Sequence, residues 1–207
     1  MSFPAGLSQI DFAPFLPMDG ARSDAGDTWW TMDADAYWQG RASTTKLNPA
    51  LLQNWEGFML EAMLNQSSIE FVDPQLRIPA AYRGVGLPGG YDGVAVIEDL
   101  SDPLIPVVSG MPVGLVLRRG DRIGAVSVGN KTCHLLTANV TVVSNTAQAL
   151  PVLPPILDNV FGAGDELHVL DPVIRLTVVP NSWSAPRRAL SEPVGSFEVV
   201  EASIVTS

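Results

Sequence analysis

Two histidines and one cysteine supply the side chains of this chain best suited to proton transfer or nucleophilic attack near neutral pH. Cys133 and His134 are adjacent within a strand-like stretch. Neighbours on a strand point to opposite faces, so the pair cannot serve one site as nucleophile and base. His168 has Asp165, Glu166 and Asp171 close by in sequence. Glu166 and His168 fall on one strand face, yet two ligands are too few to hold a metal ion, and solvated turn charges are the expected role of the group. The acidic residues Asp92, Glu98, Asp99 and Asp102 lack the alternating oxygen-ligand spacing and terminal bidentate Glu of a calcium loop. The glycine-rich stretch 84–93 lacks the Gly-Lys-Ser/Thr ending of a phosphate loop and leads into no helix, and no serine sits in a nucleophile-elbow pattern. The expectation is no catalytic residue, no metal site and no cofactor, and hence not an enzyme.

The aromatic residues Trp29, Trp30, Tyr37, Trp38, Trp55 and Trp183 could stack bases or sugars, but they alternate with small residues as core or interface positions do. Acidic residues outnumber basic ones by 22 to 12, a formal net charge of -10 that opposes non-specific binding to nucleic acid or to an anionic membrane, and no specific nucleic-acid binding is expected. The longest uncharged stretch, 132–157, is interrupted by Asn139, Asn145, Gln148 and Pro154-Pro155, so it predicts strands in water rather than a membrane span. The start of the chain lacks the basic region of a secretory signal, and one cysteine cannot form an internal disulfide; both fit a protein made in a reducing cytoplasm.

The elements that position these residues are mostly strands. Residues 1–27 are rich in Gly, Ala, Ser, Pro and Asp without a period, and predict an N-terminal arm that orders against something else, with packing on its own domain as the alternative. Strands are expected within 28–45, with 33–36 as the turn of a hairpin. One helix is clear: Asn48 can cap it, Pro49 suits its first turn, and Leu51, Leu52, Trp55, Phe58, Met59, Ala62 and Met63 recur at helical spacing, with Trp55, Phe58, Met59 and Met63 as the expected buried face. A strand at 68–72 should stop at Asp73-Pro74. The glycines of 84–93 mark a crossing, after which short strands at 94–97, 113–118, 122–128, 133–143 and 149–153 alternate with turn signals. Two longer strands, 167–179 and 195–205, follow.

This pattern predicts a mainly β chain: a β-sandwich with one flanking α-helix, formed by 1–79 and 166–207, carrying an inserted OB-fold-like small β-barrel at 80–165. Between 80 and 165 the cations are Arg83, Arg118, Arg119, Arg122 and Lys131 and the aromatics Tyr82, Tyr91 and Phe161, too few for a base-stacking groove.

The order of features resembles the distal tail proteins of long, flexible-tailed phages and phage-like particles. The likeness rests on residues 30–45 as opening strands, the helix at 48–64, and Ile69-Glu70-Phe71-Val72-Asp73-Pro74 followed by Ile78-Pro79. It continues through Leu117-Arg118-Arg119-Gly120-Asp121-Arg122-Ile123 and His134-Leu135-Leu136-Thr137-Ala138-Asn139-Val140-Thr141, and through Leu153-Pro154-Pro155 and Asp171-Pro172 as the return to the outer domain. The resemblance implies a structural virion protein at the tail tip, a homohexameric ring that joins the tail tube protein to the baseplate hub and receptor-binding proteins and lets DNA pass. It brings no catalytic residues with it. Another tail-tip component and a carbohydrate-binding module are the competing expectations.

Overall fold

A proline-, glycine- and aspartate-rich opening does not prevent strand formation here, because the strand it forms is an edge strand. The computed structural model describes residues 3–22, 28–32, 36–65, 67–187 and 191–202. Strand β1 (Leu7–Phe15) pairs antiparallel with β4 (Tyr37–Lys46), Phe12 opposite Gly40. Pro14 is tolerated near the end of β1 because one side of an edge strand needs no ladder partner. A β-carbon on Gly40 would collide with the backbone of Asp11 and Phe12, so glycine there permits the close approach of the two strands.

The chain divides into two compact units, residues 1–71 with 175–202, and residues 72–174. In the outer unit a five-stranded sheet runs β1-β4-β16-β15-β5, where β5 is Ile69–Val72, β15 is Val173–Val178 and β16 is Val194–Glu201. β16 lies antiparallel to both β4 and β15. Alternation buries Trp38, Ala42 and Thr44 of β4, Phe197 and Val199 of β16, and Leu176 and Val178 of β15 on one face. Helix α1 (Pro49–Asn65) covers that face. The Asn48 side chain accepts from Leu51 N–H at 2.9 Å as its N-cap. The Trp55 ring lies 5.6 Å from Phe197, centroid to centroid. Leu52, Trp55, Phe58, Met59 and Ala62 are buried, whereas Met63 is half-buried and sits at the margin of the face.

Three expectations change in this unit. The N-terminal arm belongs to its own domain: Phe3 packs within 6.4 Å of the rings of Trp55, Phe58, Phe71 and Phe197, and Trp55 Nε1 donates to Ala5 O at 3.0 Å. The early hairpin is not formed within 28–45. Strand β2 (Met18–Arg22) pairs with β3 (Thr28–Met32) as a separate two-stranded ribbon, so β3 and β4 each pair with a strand of the opening segment instead of with each other. Of the expected turn at 33–36, residues 33–35 lie outside the described residues. The last strand ends at Glu201, and 203–207 also lie outside them.

In the inserted unit a seven-stranded sheet runs β12-β7-β6-β14-β9-β10-β13. These strands are β6 (Val94–Asp99), β7 (Val107–Ser109), β9 (Arg122–Ser127), β10 (Asn130–Leu136), β12 (Gln148–Ala149), β13 (Val152–Leu153) and β14 (Glu166–His168). Its two edges, β12 and β13, belong to one segment. β12 pairs with β7 and β13 with β10, while Leu150 N and Val152 N donate to Pro106 O and Leu104 O. The sheet therefore curls shut into a small barrel, which removes its edges. A further pair, β8 (Val116–Leu117) and β11 (Val140–Thr141), lies beside it. Ile97, Val108, Met111, Leu115, Ile123 and Leu167 are among the wholly buried core residues.

The insert is longer than the 80–165 expected. β14 lies between β6 and β9 and belongs to the barrel, so the predicted single strand 167–179 breaks. Asp171, at φ 50, and Pro172 make the break. On the other side, Asp73 pairs with Arg122 at 2.9 Å, and Arg77 with Asp171 through two contacts of 2.5 and 2.9 Å, which ties 72–79 to the barrel. The mainly β class holds: the described residues form strands β1 to β16 and a single α-helix, α1.

Candidate functional site

Cys133 and His134 are both buried, 1% and 2% exposed. His134 shares its strand face with Thr132, not with Cys133: its Nε2 lies 2.7 Å from Thr132 Oγ1 and its Nδ1 2.8 Å from Pro154 O. Nδ1–H donating to the carbonyl, with Nε2 accepting from the hydroxyl, satisfies the neutral ring. Burial pushes the imidazole down to about 4, against a smaller opposing effect of the Pro154 carbonyl.

The acidic residues around His168 disperse. Glu166 and His168 share a face as expected, 2.8 Å apart. Asp165 accepts from Gly162 N–H at 2.8 Å and closes its own turn. The hydrogen bond from Arg77 holds the Asp171 carboxyl below its ordinary range. Among the described residues no three His, Cys, Asp or Glu side chains gather as metal ligands would.

The three aspartates of the other acidic group are engaged by backbone, and Glu98 by a serine hydroxyl. Asp92, Asp99 and Asp102 accept from Val94 N–H, Ser101 N–H and Leu104 N–H at 3.0, 2.9 and 2.9 Å, each two residues ahead. Ser101 N–H and Oγ–H hold Asp99 below its usual value. Glu98 accepts from Ser109 Oγ–H. The glycine-rich segment 84–93 holds one short 3₁₀ turn, Pro88–Gly90, follows another at Ala80–Tyr82, and leads into strand β6.

Trp38 and Trp55 are core residues, and Trp183 stacks on Trp55 at 5.9 Å and 8°. Tyr37 is different: it lies partly exposed on the open side of the outer sheet beside Phe15, ring centroids 5.3 Å apart. The side chains of Trp29 and Trp30 lie outside the described residues. In the barrel Phe161 is buried, and Tyr82 and Tyr91, partly buried, pack against its core.

Three features escaped sequence reasoning. Asp121, 4% exposed, accepts from Arg118 N–H at 2.7 Å and Ala80 N–H at 2.8 Å, which binds the turn before β9 to the first 3₁₀ turn. Glu201 sits on the inner face of the outer sheet and accepts from Trp38 N–H at 3.1 Å. Burial pushes its carboxyl up to about 7, partly offset by that hydrogen bond. Alternation could have found it, because Phe197, Val199 and Glu201 share one face of β16. The third is a groove of about 600 Å³ on the open face of the outer sheet, with Tyr37, Gln39, Arg41 and Glu198 in its walls.

No protein-family model matches the chain, and no curated protein sequence is significantly similar to it. Among the described residues no helix is long and apolar enough to cross a membrane.

Proposed function

We propose that this chain is a structural protein that works by assembling with copies of itself, and not an enzyme. Within that class we assign it to the distal tail proteins: a homohexameric ring at the tip of a long phage or phage-like tail, joining the tail tube protein to the baseplate hub and receptor-binding proteins. The observation that carries the proposal is an outer sheet built from both ends of the chain around an inserted barrel, the arrangement that the sequence resemblance implies.

Edge chemistry adds support. The barrel closes on itself, but the outer sheet keeps two edges, β1 with nine residues and β5 with four. An edge strand presents unpaired N–H and C=O groups that favour pairing with another chain, and a cyclic assembly can satisfy them. The β2–β3 ribbon forms its own two-stranded sheet, and such a ribbon gains stability from a surface to lie on. A net charge of -10 suits a conduit that DNA must traverse without adhering.

Mass photometry of the purified chain tests the proposal. Six copies of a 22.1 kDa chain give one species near ~130 kDa. A chain that stays monomeric at all concentrations contradicts it.

A further inference from the structure

We propose that the open face of the outer sheet carries a carbohydrate-binding site, in the groove across β1, β4 and β16, that takes a neutral oligosaccharide. The inference stands apart from the ring, since every residue it uses belongs to one chain.

Strand alternation builds the groove. While Trp38 and Ala42 point into the core, Tyr37, Gln39 and Arg41 line the opposite face of β4. Pairing sets their neighbours: Ala13 and Val200 flank Gln39, while Asp11 and Glu198 flank Arg41. Small Ala13 leaves depth beside Gln39, and the resulting volume, about 600 Å³, is within the range of small-molecule pockets.

The chemistry of the walls favours a sugar. Tyr37 offers a ring held in place by Phe15, and the C–H face of a pyranose packs on such a ring. Gln39, exposed on the strand, presents a carbonyl and an NH₂ side by side to the groove. Arg41 Nη2 donates to Glu198 Oε1 at 3.0 Å, which fixes a donor group and an acceptor group next to each other. Adjacent donors and acceptors match vicinal hydroxyls, each of which both donates and accepts.

Charge and position exclude other occupants. Asp11 and Glu198 together outweigh Arg41, whose guanidinium is already engaged, so phosphates, sulfates and acidic sugars are disfavoured. A peptide adding as a strand needs a sheet edge, and this groove lies on the face of β4, an interior strand.

Isothermal titration of the full chain with cellotetraose, maltotetraose, chitotetraose and a galactose tetrasaccharide tests the inference. At least one should bind with a Kd of roughly 0.1–1 mM, the weak affinity of a shallow, open site. Tyr37→Ala and Gln39→Ala should each weaken binding about tenfold or more, with tryptophan emission and far-ultraviolet circular dichroism unchanged. Three outcomes overturn the inference: no binding of any of the four sugars, binding that both variants retain, or tighter binding of a sulfated oligosaccharide than of the neutral ones. If the substitutions change the mass of the assembly and no sugar binds, the face is a contact between copies and the inference is equally overturned.

Discussion

Replacing Glu201 by Gln should make the outer unit more stable at alkaline pH and flatten its pH dependence. The Glu201 carboxyl lies on the apolar face of the sheet, and on the strands around it that face carries Trp38, Ala42, Leu176 and Val178, none of them charged. Burial raises its pKa from 4.5 to about 7, so between those values the folded chain binds a proton that the unfolded chain does not. Stability from this group is therefore greatest below 4.5, falls as pH rises through the window, and levels off above about 7. At about 1.4 kcal/mol per pH unit the gap is worth roughly 3 kcal/mol, and the partial exposure of Glu201 trims this to about 2 kcal/mol. Glutamine keeps an oxygen for Trp38 N–H and cannot ionise. Urea unfolding followed by tryptophan emission isolates the effect, because all five tryptophans lie in the outer unit. The variant should gain about 2 kcal/mol over the parent near pH 8 and less than about 1 kcal/mol near pH 5. An equal difference at both pH values would refute the buried-carboxylate reasoning.

The inserted unit should respond to acid in the opposite sense. His134 is held neutral with a folded pKa of about 4 against 6.5 unfolded, so its contribution is present above 6.5 and lost as pH falls toward 4; its imidazole NMR signals should not titrate above about pH 5, and a midpoint near 6.5 in the folded chain would contradict this. Phe58→Ala should cost about 3–5 kcal/mol in denaturant unfolding, since Phe58 is 8% exposed and packs against Trp55 and Phe3; a loss under about 1 kcal/mol would show that the helix face is not part of the core. A fragment of residues 72–174 should give dispersed amide signals on its own, whereas 80–165 should not, because it lacks β14 and leaves Arg122 without Asp73. Equal dispersion from both fragments would return the boundary to where the glycines suggested it.

The parts of the fold visible in sequence are those written in local chemistry. Helix α1 announced itself through Asn48, Pro49 and the spacing of Leu52, Trp55, Phe58 and Met59. The end of β5 was set by Asp73, whose side chain accepts from Gln75 N–H at 2.9 Å. Non-local pairing was not visible. β1 was hidden because Pro4, Gly6 and Pro14 read as irregular chain, and its strand character depends on β4 about 30 residues away, a partner that propensity cannot see. The break at Asp171-Pro172 was masked by apolar residues on both sides, although Pro172 was the available signal. Side chains with chemical potential were harder still. His134 and Glu201 differ from solvated residues only through burial, while the Tyr37–Gln39–Arg41 face arises from the register of three strands.

The tail-tip assignment is tested most directly on the particles themselves. Gold-labelled antibody against the purified chain, applied to particles released by the host that carries the gene, should mark the end of the tail farthest from the head. Label on the head, along the tail shaft, or on no particle at all would contradict a distal tail protein.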